Sequence, residues 1–227
     1  MKEIKDYHCN LTLWQDLVKK GDLIYPNENV VRFIFANNFN SALDFGCGNG
    51  RHLEVFLRAK IKKIIGVDMN ELPLKTSFAR LNESAENSLI KLILLNNKNK
   101  NLKELLNATK IDAVVAWGVL HLFTPKIALD LLKEFKSILN DGGQILCNFR
   151  SKNDGLKNES VEISKNIYKV TRKSHENLLY SFYDEEMIKE IFKQADLKIT
   201  SIDKEIYTRN NSSEYNEFLV IKAVNNS

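Results

Sequence analysis

Ala42-Leu43-Asp44-Phe45-Gly46-Cys47-Gly48-Asn49-Gly50-Arg51-His52 decides the fold. A short apolar run ends in an acid. Three glycines follow at alternate positions, and an apolar helical pattern then begins at Leu53, Val55, Phe56 and Leu57. The pattern predicts strand, tight turn and helix. Glycine at such a turn permits positive φ and lets a ligand approach the backbone closely. Dinucleotide loops set their third glycine three residues after the second, which seats a pyrophosphate on the helix N-terminus. Here the spacing is Gly-x-Gly-x-Gly, and Asp44 stands two residues ahead of the first glycine. A carboxylate at that place favours a cationic group over a pyrophosphate, because like charges repel.

Downstream, Lys63-Ile64-Ile65-Gly66-Val67-Asp68 reads as a second strand with Asp68 at its carboxyl end. Ligands of open α/β sheets lie outside the carboxyl ends of the strands. A carboxylate there accepts both hydroxyls of an adenosine ribose. Asp68 therefore indicates a ribose without choosing the cofactor; the glycine spacing makes that choice. Met69 follows, suited either to adenine packing or to the core.

Leu43-Asp44-Phe45-Gly46-Cys47-Gly48-Asn49-Gly50, with Asp68 after the next strand, resembles the first motifs of class I S-adenosylmethionine-dependent methyltransferases. That donor carries an ammonium and a sulfonium and no phosphate, in keeping with Asp44. The resemblance covers about residues 41–223 and implies a Rossmann-like, doubly wound seven-stranded α/β sheet. Such a sheet is mostly parallel, with an antiparallel strand near the C-terminus. It also implies that Asp44, Gly46, Cys47, Gly48 and Gly50 form the loop at the methionine end of S-adenosyl-L-methionine. Arg51 and His52 open the next helix, facing either the methionine carboxylate or solvent.

Residues 73–88 read as a helix and Leu89 to Leu95 as a third strand. The family places an Asp or Asn beside the adenine after this strand; here Asn96 and Asn97 follow. A short helix is expected over Leu102 to Asn107. Ile111 to Trp117 is the fourth strand, continued by Gly118-Val119-Leu120-His121-Leu122-Phe123, which resembles the family's fourth motif. Trp117 and Gly118 fall near the methyl donor, while Asp112 lies at the opposite end and is structural. His121 is the candidate general base, since imidazole titrates near neutrality; a packing role in the turn is the competing reading. An Asn/Asp-Pro-Pro-Tyr/Phe motif, typical of enzymes that methylate exocyclic amino groups of bases or glutamine amides, does not follow strand four.

Thr124-Pro125 starts an amphipathic helix to Leu139. Asn140 to Gly143 reads as a turn and Gln144 to Phe149 as strand five, with Arg150 at its carboxyl end. Residues 151–180 are long and polar, read either as a solvated loop or as an acceptor lid. Arg150 is the first candidate acceptor ligand, because a guanidinium forks onto carboxylate or phosphate; His175 and Tyr168 are weaker ones. Asp184 caps a helix to about Ala195. Ile199 to Ile202 and Glu217 to Ala223 are the closing strands.

Residues 1–40 are expected to form an N-terminal helical cap ahead of a methyltransferase domain over 41–227. Leu11, Trp14, Leu17 and Val18 recur at helical spacing, and Pro26 turns the chain into a second apolar face at Val30, Val31, Ile34 and Phe35. Trp14 and Tyr25 are candidate acceptor contacts, and Tyr25 a cofactor contact as well; helix packing is the alternative.

The 227 residues suit one α/β domain with additions. A net charge of +4 is too mild for a nucleic-acid surface. Three scattered cysteines offer no zinc or redox pair and fit a reducing cytoplasm. The N-terminus has no signal-peptide apolar region, and the longest apolar run is too short to span a bilayer. The expected activity is methyl transfer to a small polar, anionic or sugar-linked acceptor, on oxygen or nitrogen, as in surface polysaccharide modification, yielding S-adenosyl-L-homocysteine. The alternatives are an RNA or protein methyltransferase, or a non-catalytic S-adenosylmethionine-binding protein.

Overall fold

A computed structural model describes residues 24–82, 89–95 and 101–226. Trp14, Asn96 and Asn97 lie outside these residues, as does the helix expected near Leu11. Of the expected N-terminal cap, residues 24–40 are described. They hold helix α1 (Glu28–Phe35), whose N-cap Asn27 accepts a hydrogen bond from the Asn29 N–H. Val30, Phe33 and Ile34 are its buried face.

Seven strands form the main sheet: β1 (Ser41–Phe45), β2 (Lys63–Asp68), β3 (Leu89–Leu94), β4 (Ile111–Ala116), β5 (Leu139–Arg150), β9 (Lys198–Arg209) and β10 (Glu214–Val224). Their order is β3-β2-β1-β4-β5-β10-β9. β1 to β5 run parallel, and β10 is antiparallel to both β5 and β9. The seven-stranded, mostly parallel sheet expected from the sequence is therefore present.

Both faces of the sheet are covered, as a parallel sheet requires. Alternate residues point to opposite sides. Leu43, Phe45, Ile65, Val67, Val114 and Ala116 join a core with helices α5 (Pro125–Ile138) and α7 (Glu185–Gln194). Ala42, Ile64, Ala113 and Val115 join the opposite core, with α1 and α2 (Leu53–Arg58). Gly66 lets α2 approach: a Cβ there would meet Leu53 Cδ1 and Leu92 Cδ2, each at 2.8 Å. Thr124 caps α5 through the Ile127 N–H, with Pro125 at the first helical position, and Asp184 caps α7 through the Met187 N–H.

Several boundaries depart from the sequence reading. α3 begins at Glu71 and is described to Asn82, residues 83–88 of the expected helix lying outside the described residues, and α4 is the single turn Leu102–Leu105. β4 stops at Ala116; Gly118, at φ 75°, turns the chain into a 3₁₀ turn at Leu120–Leu122 instead of prolonging the strand. β5 begins at Leu139, because Gly142 and Gly143 pair with Asn225 and extend the ladder through the expected turn. β9 and β10 are far longer than expected and project as a hairpin beyond their neighbours.

Residues 151–180 are folded. α6 (Gly155–Asn158) and strands β6 (Ser160–Ser164), β7 (Ile167–Val170) and β8 (Leu179–Tyr180) form a small antiparallel sheet. It has its own core of Leu156, Val170, Leu178, Tyr180 and Phe182. Among the described residues no helix is long and apolar enough to cross a membrane.

Candidate active site

The carboxyl ends of β1, β2, β4 and β5 converge where strand order reverses about β1, the place where open sheets bind ligands. A cavity of about 690 Å³ opens there. At one end lies the glycine loop. The Gly46 and Cys47 N–H groups both donate to the Val67 carbonyl, at 2.8 and 3.1 Å, and fasten the loop to β2. The Gly48 N–H donates to Asp68 Oδ2 at 2.9 Å, and the Asn70 N–H to Oδ1 at 2.8 Å. Burial raises the Asp68 pKa; the backbone hydrogen bonds from Asn70, Gly48 and Met69 oppose the rise.

Two glycines show why the loop takes this shape. Gly50 has φ 80°, and a Cβ there would overlap the Ser77 hydroxyl on α3. Gly118 has φ 75°, and a Cβ there would meet nothing within 4 Å, as at Gly48. Gly48 and Gly118 both line the cavity, so their bare backbones leave a cradle that side chains would fill.

Behind the loop, Asp44 is buried, with Oδ2 lacking a hydrogen-bond partner. Burial pushes its pKa up to about 7, against the lowering effect of Arg51; Asp68 adds a smaller rise. His52 Nε2 accepts from the Asn27 N–H at 3.3 Å, so its proton sits on Nδ1, which lies 3.7 Å from Asp44 Oδ2. Burial, with Arg51 nearby, holds His52 neutral.

The other end of the cavity is aromatic. The His121 ring stacks on Tyr180, with centroids 5.5 Å apart and planes at 15°. Tyr207 stacks on Phe218 at 6.2 Å, also at 15°. The Arg150 guanidinium lies over both Tyr180 and Phe218, 5.2 and 4.7 Å from the ring centres. Its Nη1 donates to Asp154 Oδ2 at 2.7 Å and, at 3.5 Å, to Asn216 Oδ1. Asp154 is buried and also accepts from the Leu156 and Glu217 N–H groups. Burial, then the Arg150 charge, holds His121 well below the usual imidazole range; a hydrogen bond with the Asn148 backbone opposes them.

The profile of the methyltransferase domain family matches residues 22–202. The chain belongs to that family. No curated protein matches this methyltransferase. Its fold is that of solved S-adenosylmethionine-dependent methyltransferases. One from Methanosarcina mazei is 15% identical, with TM-score 0.67 and coverage of 88% of this chain and 98% of that chain. One from Clostridium acetobutylicum is 16% identical, with TM-score 0.59 and coverage of 98% and 96%. The 1,6-didemethyltoxoflavin-N1-methyltransferase of Burkholderia thailandensis, solved with S-adenosylhomocysteine, is 17% identical, with TM-score 0.65 and coverage of 97% and 85%.

Of the donor residues expected from the methyltransferase's sequence, Gly46, Cys47, Gly48, Arg51, Asp68, Met69, Trp117 and Gly118 line the cavity. Asp44 and Gly50 are outside its lining: Asp44 lies behind the loop, and Gly50 packs against α3. Tyr25 is not brought to the cavity. Its side chain is 80% exposed, and its carbonyl instead accepts from Arg51 Nη1 at 3.0 Å. His121, Arg150 and His175 line the cavity, and Tyr168 does not. Asp112 sits at the far end of the sheet, where Oδ2 accepts from the Asn40 and Ser41 N–H groups. Sequence reasoning missed Asn148, Tyr180, Tyr207, Asn216 and Phe218. The last three come from the β9–β10 hairpin, where alternation along unusually long strands is the available signal.

Proposed function

We propose that the methyltransferase moves a methyl group from S-adenosylmethionine to a small polar acceptor held beside His121. One observation carries this reading: a single cavity is lined at one end by Gly48, Asp68 and Gly118 and at the other by His121, Arg150 and Tyr180. Donor and acceptor would share one crevice, as an in-line displacement needs.

The residues fit the donor. Gly48 and Gly118 leave room against bare backbone, and Asp68 offers a carboxylate to the ribose hydroxyls. When bound, S-adenosylmethionine supplies a methyl group activated on a positively charged sulfur. The protein's own task is then alignment and proton removal. His121 is held neutral, the form that accepts a proton, and its unpartnered Nδ1 belongs to a ring lining the cavity. A pKa this low makes it a weak base, suited to an acceptor whose own proton is acidic, such as an aromatic hydroxyl or ring N–H.

Small-molecule acceptors are supported by two solved neighbours of the same fold, whose names specify 1,6-didemethyltoxoflavin and magnesium protoporphyrin IX. Anionic and sugar-linked acceptors belong to the same polar class. A cytoplasmic site of action is supported by the free, buried thiols of Cys47 and Cys147. The test is a screen of polar acceptors with S-adenosylmethionine, reading release of S-adenosylhomocysteine. Turnover that Asp68→Ala abolishes supports the reading; binding of NAD in place of the methionine derivatives contradicts it.

A further inference from the structure

We propose that the acceptor is a planar, uncharged ring system whose edge carries hydrogen-bond acceptors, read by Arg150 and Asn216; this rests on the methyltransferase reading of the same cavity. Three buried polar atoms, on residues that line the cavity, have no hydrogen-bond partner: Arg150 Nε, Asn216 Nδ2 and His121 Nδ1. Their residues are 7%, 6% and 3% exposed. An unmade hydrogen bond at a buried group is costly, so a ligand that completes these bonds is favoured.

The three residues form one cluster. Arg150 Nη1 touches Asn216 Oδ1, and the Arg150 guanidinium lies over Tyr180 and Phe218, the two rings that His121 also contacts. Two of the unpartnered atoms, Arg150 Nε and Asn216 Nδ2, are obligate donors. The ligand edge facing them must therefore accept. Around them His121 stacks on Tyr180 and Tyr207 on Phe218, and all four residues line the cavity. Flat apolar walls favour a flat ligand.

Charge excludes the obvious alternative. Arg150 reads from sequence as an anchor for carboxylate or phosphate. In the structure its charge is offset by buried Asp154 at 2.7 Å, and at the same end of the cavity Glu205 and Glu214 stand against Arg209. The subsite therefore offers directed N–H donors without a net positive charge. A carbonyl oxygen or ring nitrogen suits it, and a phosphate dianion does not.

The experiment uses the full chain saturated with S-adenosylhomocysteine and follows the arginine Nε–H signals by nitrogen-15 NMR, with Arg150 assigned by Arg150→Lys. Three probes are added at millimolar concentration: isoquinolone (a planar lactam), cyclohexanecarboxamide and inorganic phosphate. The expected result is a shift of the Arg150 Nε–H with isoquinolone, little with the saturated amide and none with phosphate. Asn216→Ala should weaken isoquinolone about tenfold, the loss of one directed hydrogen bond. A response to phosphate alone, or equal responses to the flat and saturated amides, overturns the inference, as does no response to any probe. Failure of S-adenosylhomocysteine to bind at the outset marks failure of the methyltransferase reading instead.

Discussion

Asn27 and Glu205 stand 178 residues apart in sequence, yet Asn27 Nδ2 donates to Glu205 Oε1 at 2.8 Å. The Asn27 N–H also donates to His52, and Arg51 donates to the Tyr25 carbonyl. The segment before α1 is thus tied at once to the glycine loop and to the C-terminal hairpin. Removing the carboxylate should loosen this strap. Glu205→Ala should release bound S-adenosylhomocysteine several-fold faster, a change of about 1 kcal/mol for one partly exposed charge-assisted bond. Glu205→Gln retains an acceptor oxygen and should restore most of the slow release. Stopped-flow dissociation decides it.

Gly118→Ala tests the cradle. A Cβ at φ 75° carries a strain of about 1–2 kcal/mol and projects into the cavity without striking the protein. The variant should fold with a melting point lowered by a few degrees and bind S-adenosylhomocysteine at least tenfold more weakly. Gly50→Ala adds overlap with Ser77 to the same strain, so it should lose more stability. Calorimetry and thermal melts on both variants separate the two roles.

Asp44 gives a pH dependence with a definite sign. Its pKa rises from 3.8 to about 7 on folding, so the folded protein holds this proton more tightly than the unfolded chain. The stability it contributes is full below about pH 4 and is lost as pH rises through about 7. His52 and His121 act the other way: both are held neutral on folding, so their contribution falls as pH drops through and below the ordinary imidazole value of 6.5. Comparing melting points of wild type and Asp44→Asn between about pH 5 and 8 isolates the Asp44 part. Wild type should lose ground to the variant as pH rises.

His121 should act without an imidazole-like inflection near neutrality. Burial and the Arg150 charge keep it unprotonated there, so kcat should hold level as pH falls to 6.5 and decline only below it. His121→Asn should lower kcat by about 10²-fold or more while leaving S-adenosylhomocysteine affinity unchanged. A pH–rate profile with a break at the ordinary imidazole value would point to a different group.

The glycine-loop end of the cavity was legible because it is local. Gly46, Gly48 and Asp68, which line it, carry their spacing in two adjacent strand–turn–helix units, and backbone geometry dictates it. The other end of the cavity was legible only at Arg150, which ends β5, and at His121, in the 3₁₀ turn that follows β4. Arg150 invited an anion, and its partner Asp154 lies four residues on, beyond the strand, in a segment whose exposed charges suggested a loop. Tyr207, Asn216 and Phe218 were hidden for another reason. They reach the cavity only because β9 and β10 continue past the sheet, and strand length is set by tertiary pairing rather than by propensity. Tyr25 is not brought to the cavity; its backbone carbonyl is what Arg51 holds.

Titration calorimetry with S-adenosylmethionine, S-adenosylhomocysteine and NAD tests the central claim most directly. The site described above predicts micromolar binding of both methionine derivatives, lost in Asp68→Ala, with no heat from NAD. Silence from both derivatives, or binding of NAD, would contradict it.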